Sequence, residues 1–450
     1  MTDNAQQQDF GTIVQKRSPL RCHLLSRIPI FNRYGEARMY ELKFTAGNML
    51  ALDRLEEKHV YHVLFGFLIR RPIESFVGAG NIGAIRMPVT ETLYQNLHLY
   101  NPDRLCIIIP YNQEPTENNM AYIRLLKRAG VHFAIDHTRL FAGDFKEVSS
   151  CFDFILADAK DHFVEKVVLF NQMVEKTNNL INLVAHNIKT QAEADTVFKQ
   201  GASHVLFKFY RSPLASQEQE FTGQNIKQDI VVLLSEVFKD EPDFQKLAKI
   251  ISRHNFMLVA MLNIIRTMLP NSEEIKSLDQ AVAYLGTEQL RTFICLSCAE
   301  AITAQWCVKS GNFGKANHTS SWELLRYSLV RSKFISDLCE KFGDMGAKRH
   351  AFQVGLFSVI DSVIDDDGDE PDDLKKGLQG LIQGNMSRYN ILGTLVGCIG
   401  AIESQDLQSI IKAVNTARIP INAVLKTFED SIMWSNKIFA LLRSKKLIRR

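Results

Sequence analysis

The sequence predicts a parallel α/β barrel followed by an all-helical domain. Two observations carry this. Short apolar runs alternate with amphipathic helical stretches from Leu20 to about Pro213. Beyond a polar stretch at 214–228, strand signals stop and every apolar segment takes helical spacing. The length of 450 residues exceeds one ordinary core and points to two domains.

Residues 1–19 read as a polar tail. Within 20–213, Ala84–Val89 is strand-like and Arg104–Ile109 reads as a buried strand. The helix Glu117–Ala129 follows and ends near Gly130. Then come the strands His132–Ile135 and Phe152–Leu156, the helix Lys166–Lys176, the strand Leu180–Ala185, the helix Thr190–Gln200 stopped by Gly201, and the strand His204–Phe209. Strands separated by helices pair in parallel, and this rhythm over a short span suits a small (β/α)8 barrel. Residues 214–228 read as a linker and 229–450 as the helical domain. Its helices are expected over Ile230–Phe238, Phe244–His254, Phe256–Met268, Ser277–Leu285, Thr287–Ala304, Trp322–Phe342, His350–Ile364, Leu374–Gly384, Ile391–Ile402, Leu407–Arg418 and Ile421–Leu442. Lys309–Ser321 and the acidic Asp365–Asp373 read as loops.

Composition narrows the function classes. Hydrophobic residues make up 46% and charged residues 23%, a globular balance. The net charge of +3 gives no field that would draw the whole protein onto nucleic acid or a membrane. No apolar run of spanning length and no signal peptide is seen, so a cytoplasmic protein without a membrane span is expected. Cysteines are scattered; the one CxxC, Cys295 and Cys298, has no second pair at zinc spacing and reads as buried thiols.

Most motif-like features read as ordinary structure. Gly78-Ala-Gly80-Asn-Ile-Gly83 fits GxGxxG, but a helix-like segment precedes it and a strand follows, the reverse of a dinucleotide site. It reads as a glycine turn. An EF-hand register on Gly368 would put Val363 and Leu374 at ligand positions, which lack oxygen donors. His59 and His62 form an isolated HxxH, and the basic end Arg443–Arg450 reads as a solvated helix end.

The first half resembles the EAL phosphodiesterase family. The resemblance rests on Arg27-Ile-Pro29-Ile-Phe31, Tyr40-Glu41-Leu42-Lys43-Phe44-Thr45, Gly130-Val-His-Phe-Ala134-Ile-Asp136-His137, Ile155-Leu156-Ala157-Asp158, the segment Leu183–Thr190 and the closing run Val205–Pro213. The family cleaves cyclic-di-GMP with two divalent ions held by strand-end carboxylates and one Asn. The resemblance implies that Glu41, Asp136 and Asp158 are remnants of that site. It places the Asn position at Met87, a first acidic position near Ile108, the second Asp at His137, the later Glu at His186, the water-orienting Lys at Leu156 and the closing Gln at Leu206. Thr45 stands where an Arg contacts a ligand phosphate. Met, Ile and Leu cannot coordinate Mg2+ or Mn2+, so no metal cofactor is expected.

The second half resembles the HDOD family, a helical domain related to metal hydrolases. The resemblance rests on Asp243–Ile251, on Ile275–Arg291 with Leu278, Ala281, Leu285 and Leu290, and on Ala351–Phe357. It places the His-Asp metal pair of active relatives at Ser358 and Val359, neither a ligand.

These readings imply a non-catalytic bacterial signalling or scaffold protein that acts through protein partners, with a homodimer possible and no nucleic-acid partner. Trp306 and Trp322 are candidate anchors for such contacts. Two alternatives stand. One is a cyclic-di-GMP sensor without hydrolysis, against which Thr45 speaks. The other is a repurposed metal hydrolase in which Glu41, Asp136, His137 and His186 hold Zn2+, Mn2+ or Fe2+.

Overall fold

The computed structural model of the chain describes residues 22–46, 64, 67–68, 70–160, 162–177, 181–208, 226–255, 257–258, 261, 278–308, 319–343, 345–363 and 373–446. Eight strands close into a barrel in chain order. They are β1 (Cys22–Asn32), β2 (Ala37–Ala46), β3 (Ile82–Arg86), β4 (Leu105–Ile108), β5 (His132–Asp136), β6 (Phe154–Asp158), β7 (Asn182–His186) and β8 (His204–Leu206). The barrel helices are α1 (Glu74–Val77), α2 (Glu91–Gln95), α3 (Glu117–Arg128), α4 (His137–Phe141), α5 (Phe163–Thr177) and α6 (Gln191–Gln200).

Strands β2 to β8 are parallel, as the strand–helix rhythm predicts. β1 departs from it and runs antiparallel to both β2 and β8. The connection Arg33–Glu36 is too short for a crossover, so β1 and β2 must form a hairpin. Asn32 builds the turn: its Oδ1 accepts from the N–H groups of Tyr34 (2.9 Å) and Glu36 (3.0 Å). Helices α3 and α6 begin on Thr116 and Thr190, whose hydroxyls accept from the N–H groups of Asn119 and Glu193.

The barrel interior is packed. Ile30, Met39, Ala84, Cys106, Ile108, Ala134, Leu156 and Val184 form one buried cluster, with Ile82, Phe154 and Leu206 against it. Side chains two residues apart share a strand face. The next inward position at each strand end therefore forms the mouth above this plug.

The second half is helical: α7 (Ile226–Val237), α8 (Phe244–Ser252), α9 (Leu278–Val308), α10 (Thr319–Phe342), α11 (Met345–Val363), α12 (Asp373–Arg388), α13 (Asn390–Ser404), α14 (Leu407–Ala417) and α15 (Ile421–Lys446). The expected break between Leu285 and Thr287 is present inside α9, where Gly286 has φ 72° and ψ 162°. Arg291 ties α9 to the end of α7, donating from Nε to the Val237 carbonyl (3.0 Å) and from Nη2 to the Lys239 carbonyl (3.2 Å).

The sequence assigns 229–450 to one domain, but contacts divide the chain differently. One unit holds Met1–Tyr210 together with Ile402–Leu407 and Asn436–Arg450; the other holds Arg211–Ala401 and Gln408–Ser435. Side-chain bonds explain the grouping within the first unit. Gln405 donates to the Ser26 hydroxyl (2.7 Å), Lys208 lies 3.7 Å from Glu403, and Asn436 donates to the Ser75 carbonyl (2.8 Å) while accepting from Arg27 (3.3 Å). The last three residues of the expected linker begin α7. The tail 1–19, His59 and His62, and most of the loops 309–321 and 365–373 lie outside the described residues. So do the side chains of Trp306, Trp322, Leu278, Ala281, Leu285 and Arg443–Arg450.

Candidate functional site

The barrel mouth gathers the chemistry. Counting two residues up from the inner cluster along each strand gives Glu41, Arg86, Asp136, Asp158 and His186. Glu41 and Asp136 are buried. The structure therefore brings together four of the residues singled out in the sequence, and adds Arg86.

Arg86 corrects the sequence assignment. Ile82, Ala84 and Arg86 share the inward face of β3, so the mouth position on this strand is Arg86 and not Met87. Met87 is buried just past the end of β3, on the opposite parity. The Arg86 guanidinium donates from Nη1 to Asp136 Oδ2 at 2.7 Å and to the Ile109 carbonyl at 3.2 Å. It also lies 5.0 Å from the centroid of the Tyr111 ring. Burial works against this cation, but Asp136, Glu41 and Tyr111 outweigh it and raise its pKa further. Burial and the nearby Asp136 carboxylate push Tyr111 up to about 12. Tyr111 is 62% exposed and forms the outer rim. The sequence reading missed both Arg86 and Tyr111.

His186 sits among Asp136, Asp158, Glu41 and Arg86; burial dominates and lowers its pKa, so the imidazole is neutral at pH 7. Lys43 approaches Glu41 at 3.7 Å from the exposed side. Asp158 closes the ring. It accepts from the Lys160 N–H (2.8 Å) and from Asn187 Nδ2 (3.1 and 3.4 Å), and these bonds outweigh burial and lower its pKa. Asn187 takes a left-handed φ of 63° to reach it.

The other predicted positions fall elsewhere. Ile108, Leu156 and Leu206 belong to the apolar plug beneath the mouth. Thr45 is buried in β2 opposite His23. His137 does not join the mouth: it starts α4 and packs its ring 4.4 Å from Phe141. Burial and Lys166 lower its pKa. The four-residue metal set with Glu41, Asp136 and His186 is therefore not assembled. Among the described residues, no three His, Cys, Asp or Glu side chains are placed to share an ion. Gly78 and Gly80 form a turn between α1 and β3, as the reversed order implied.

In the helical unit, Ser358 donates to the Gly355 carbonyl (2.9 Å) and accepts from Arg331 Nη1 (3.1 Å), and Val359 is buried. Cys295 and Cys298 are buried free thiols, and burial pushes both thiol pKa values up.

No protein-family model matches the chain. A cyclic di-GMP phosphodiesterase, CdgJ of Vibrio cholerae serotype O1, is 22% identical over 453 residues, covering 93% of each protein. Among solved structures, a standalone EAL protein of Vibrio cholerae O395 in its c-di-GMP-bound form is 16% identical with a TM-score of 0.33. That match covers 42% of this chain and 91% of that one. The Bacillus subtilis YkuI protein, which has an EAL domain, is 12% identical with a TM-score of 0.34, covering 52% of this chain and 72% of that one. Over 93% of its length the chain is thus similar to that cyclic di-GMP phosphodiesterase. No helix among the described residues is long and apolar enough to cross a membrane.

Proposed function

We propose that this relative of the cyclic-di-GMP phosphodiesterases does not hydrolyse the dinucleotide and acts as a cytoplasmic signalling or scaffold protein through contacts with protein partners. The observation that supports this is Arg86. A pair of divalent ions needs open oxygen donors, whereas the guanidinium holds Asp136 at 2.7 Å and stands within the field of Glu41. The plug below offers Ile108, Leu156 and Leu206 in place of oxygen or nitrogen ligands. The remaining donors therefore do not fit two metal ions.

A second reading, retained binding of cyclic-di-GMP without cleavage, is favoured by the same residue. Arg86 presents a guanidinium at the mouth that Thr45 cannot, and a guanidinium is suited to phosphate. One experiment addresses both. Purified full-length protein is incubated with cyclic-di-GMP and Mg2+ or Mn2+, and product is followed by chromatography. No product is expected. Turnover above the enzyme-free blank that disappears in Glu41→Ala overturns the proposal. Calorimetric titration with cyclic-di-GMP decides the second reading, which predicts saturable binding lost in Arg86→Met.

A further inference from the structure

His350, in the second turn of α11, is held between two aromatic rings. Phe238, just past the end of α7, lies 5.6 Å from it, and Tyr389, between α12 and α13, lies 5.8 Å from it; the ring planes are tilted by 30° and 24°. Each of these rings already has an arginine against it. Arg291 of α9 is 5.8 Å from the Phe238 centroid, and Arg388 of α12 is 5.5 Å from that of Tyr389. Tyr389 closes on α11 because Gly346 has no side chain; a Cβ there would come within 2.6 Å of the ring. Tyr389 also fixes the α12–α13 turn. Its N–H donates to the Asn385 carbonyl and its carbonyl accepts from the Leu392 N–H, both at 2.9 Å.

This setting suits the neutral imidazole. Nδ1 of His350 is buried and has no hydrogen-bond partner among the described residues. Protonation makes both ring nitrogens donors, so the cation would leave a buried N–H unmet. A ring face attracts a cation, but both rings here already serve an arginine. Burial and Arg349 come first in lowering the His350 pKa, Arg388 and Arg291 add to them, and Gln353 opposes them.

The elements around the ring carry further charges, and their carboxylates are mostly engaged. At the end of α7, Asp240 is paired with Arg349 and Lys239 with Glu236. On α9, Glu288 is paired with Arg291. On α10, Asp337 is paired with Lys333, while Glu340 and Lys341 are exposed to solvent at its end. Asp344, in the turn that follows, lies outside the described residues. α11 adds Lys348 and Arg349, and α12 adds Arg388. The charges that act most on His350 are the three arginines.

We propose that His350 is a proton-operated latch in the helical unit: taking up a proton parts the Phe238–His350–Tyr389 stack and frees the α12–α13 turn from α11. The proton comes from water and returns to it, and only an N–H bond forms or breaks. The latch is closed above the ordinary histidine value of about 6.5 and opens as pH falls below it. A histidine held neutral by the fold contributes its stability above its unfolded value and loses it on the acid side. The inference does not depend on the protein-contact reading; it gives the helical unit an input, acidification.

NMR titration of the imidazoles in the full chain, with hydrogen exchange at the Tyr389 and Leu392 amides over the same pH range, tests it. His350 is assigned through its contacts with the Tyr389 ring. It should titrate below about 6.5, and through that titration both amides should open at least about threefold more, after correction for intrinsic exchange. His350→Phe keeps a ring in the stack and removes the titration, so its amides should show no such acid-linked opening. In Arg349→Gln the titration and the opening should both move to higher pH, since the leading cation is gone. A His350 that titrates at or above about 6.5 overturns the latch, as does the same opening in His350→Phe. Should that variant not fold, Arg349→Gln decides alone: an opening that stays at its native pH overturns the latch, and one that moves with His350 sustains it.

Discussion

Replacing Arg86 with Met should expose how much the mouth depends on its internal cation. Two unit charges about 4 Å apart interact by about 4 kcal/mol at an effective dielectric constant near 20. Removing one partner of a buried pair typically costs about 3–5 kcal/mol. The Arg86 side chain is 22% exposed and that of Asp136 4%, so solvent screens the pair in part and about 2–3 kcal/mol is the expected loss. The assay is native-state hydrogen exchange of the full chain, read at the amides of β3 and β5, which reports barrel opening directly. Asp136→Asn alone should cost a similar amount, and the double variant should recover about 2 kcal/mol of the summed losses. His186 supplies a second readout. Arg86 lowers its pKa, so Arg86→Met should move it upward, although burial, the larger cause, still holds it down. Histidine titration by NMR would follow this. A coupling energy below about 0.5 kcal/mol, or an unmoved His186, would refute the assignment of Arg86 as the mouth's resident cation.

Three further outcomes are expected. Burial lowers His204 to about 4, well under the ordinary histidine value, so its contribution is present above about pH 6.5 and lost as pH falls toward 4. The loss should not exceed about 3 kcal/mol, and His204→Leu should flatten that acid limb in denaturant titrations across pH. Asn436→Ala removes a donor to the Ser75 carbonyl and an acceptor for Arg27; Arg27 still donates to the Phe76 carbonyl, so about 1–2 kcal/mol should be lost at the β1 amides in hydrogen exchange. Introducing a His-Asp pair as Ser358→His with Val359→Asp should cost at least about 3 kcal/mol, because Val359 is 2% exposed and an aspartate there is unpaired. Manganese titration of that variant should show no stoichiometric binding, and a one-to-one complex would contradict this.

The barrel was legible in the sequence because its strands are short apolar runs, each closed by a turn or helix signal. The antiparallel entry of β1 was legible in principle from the four residues between Asn32 and Ala37, but the rhythm of the later units masked it. The shift from Met87 to Arg86 is a matter of strand parity. One residue of slippage turns an inward side chain outward, and apolar residues on both faces of a buried strand give no signal to fix the register. Tyr111 had no signal at all: it lies past the end of β4, and only the folded mouth brings it to Arg86. Nor could periodicity show that Ile402–Leu407 and Asn436 pack with the barrel. Those contacts span more than 350 positions between Gln405 and Ser26 or Asn436 and Ser75.

At each of the two places where the resemblances imply metal ions an arginine makes a side-chain bond, yet the physical demands differ. In the barrel, Glu41, Asp136 and Asp158 gather at the mouth, and carboxylates that share a mouth repel one another unless a cation stands among them. Arg86 supplies that cation from within the chain, and its Asp136 bond is charge-assisted. In the helical unit, Arg331 donates to Ser358, a neutral hydroxyl, and Val359 adds no charge. Nothing anionic remains at those two positions for a cation to offset. A substitution at Arg86 therefore uncovers negative charge and makes the mouth attractive to cations, whereas a substitution at Arg331 leaves Ser358 bonded to its own helix through the Gly355 carbonyl. The barrel mouth thus has the electrostatic form of a cation site with the cation built in, whereas Ser358 and Val359 form a neutral position held by hydrogen bonds and packing.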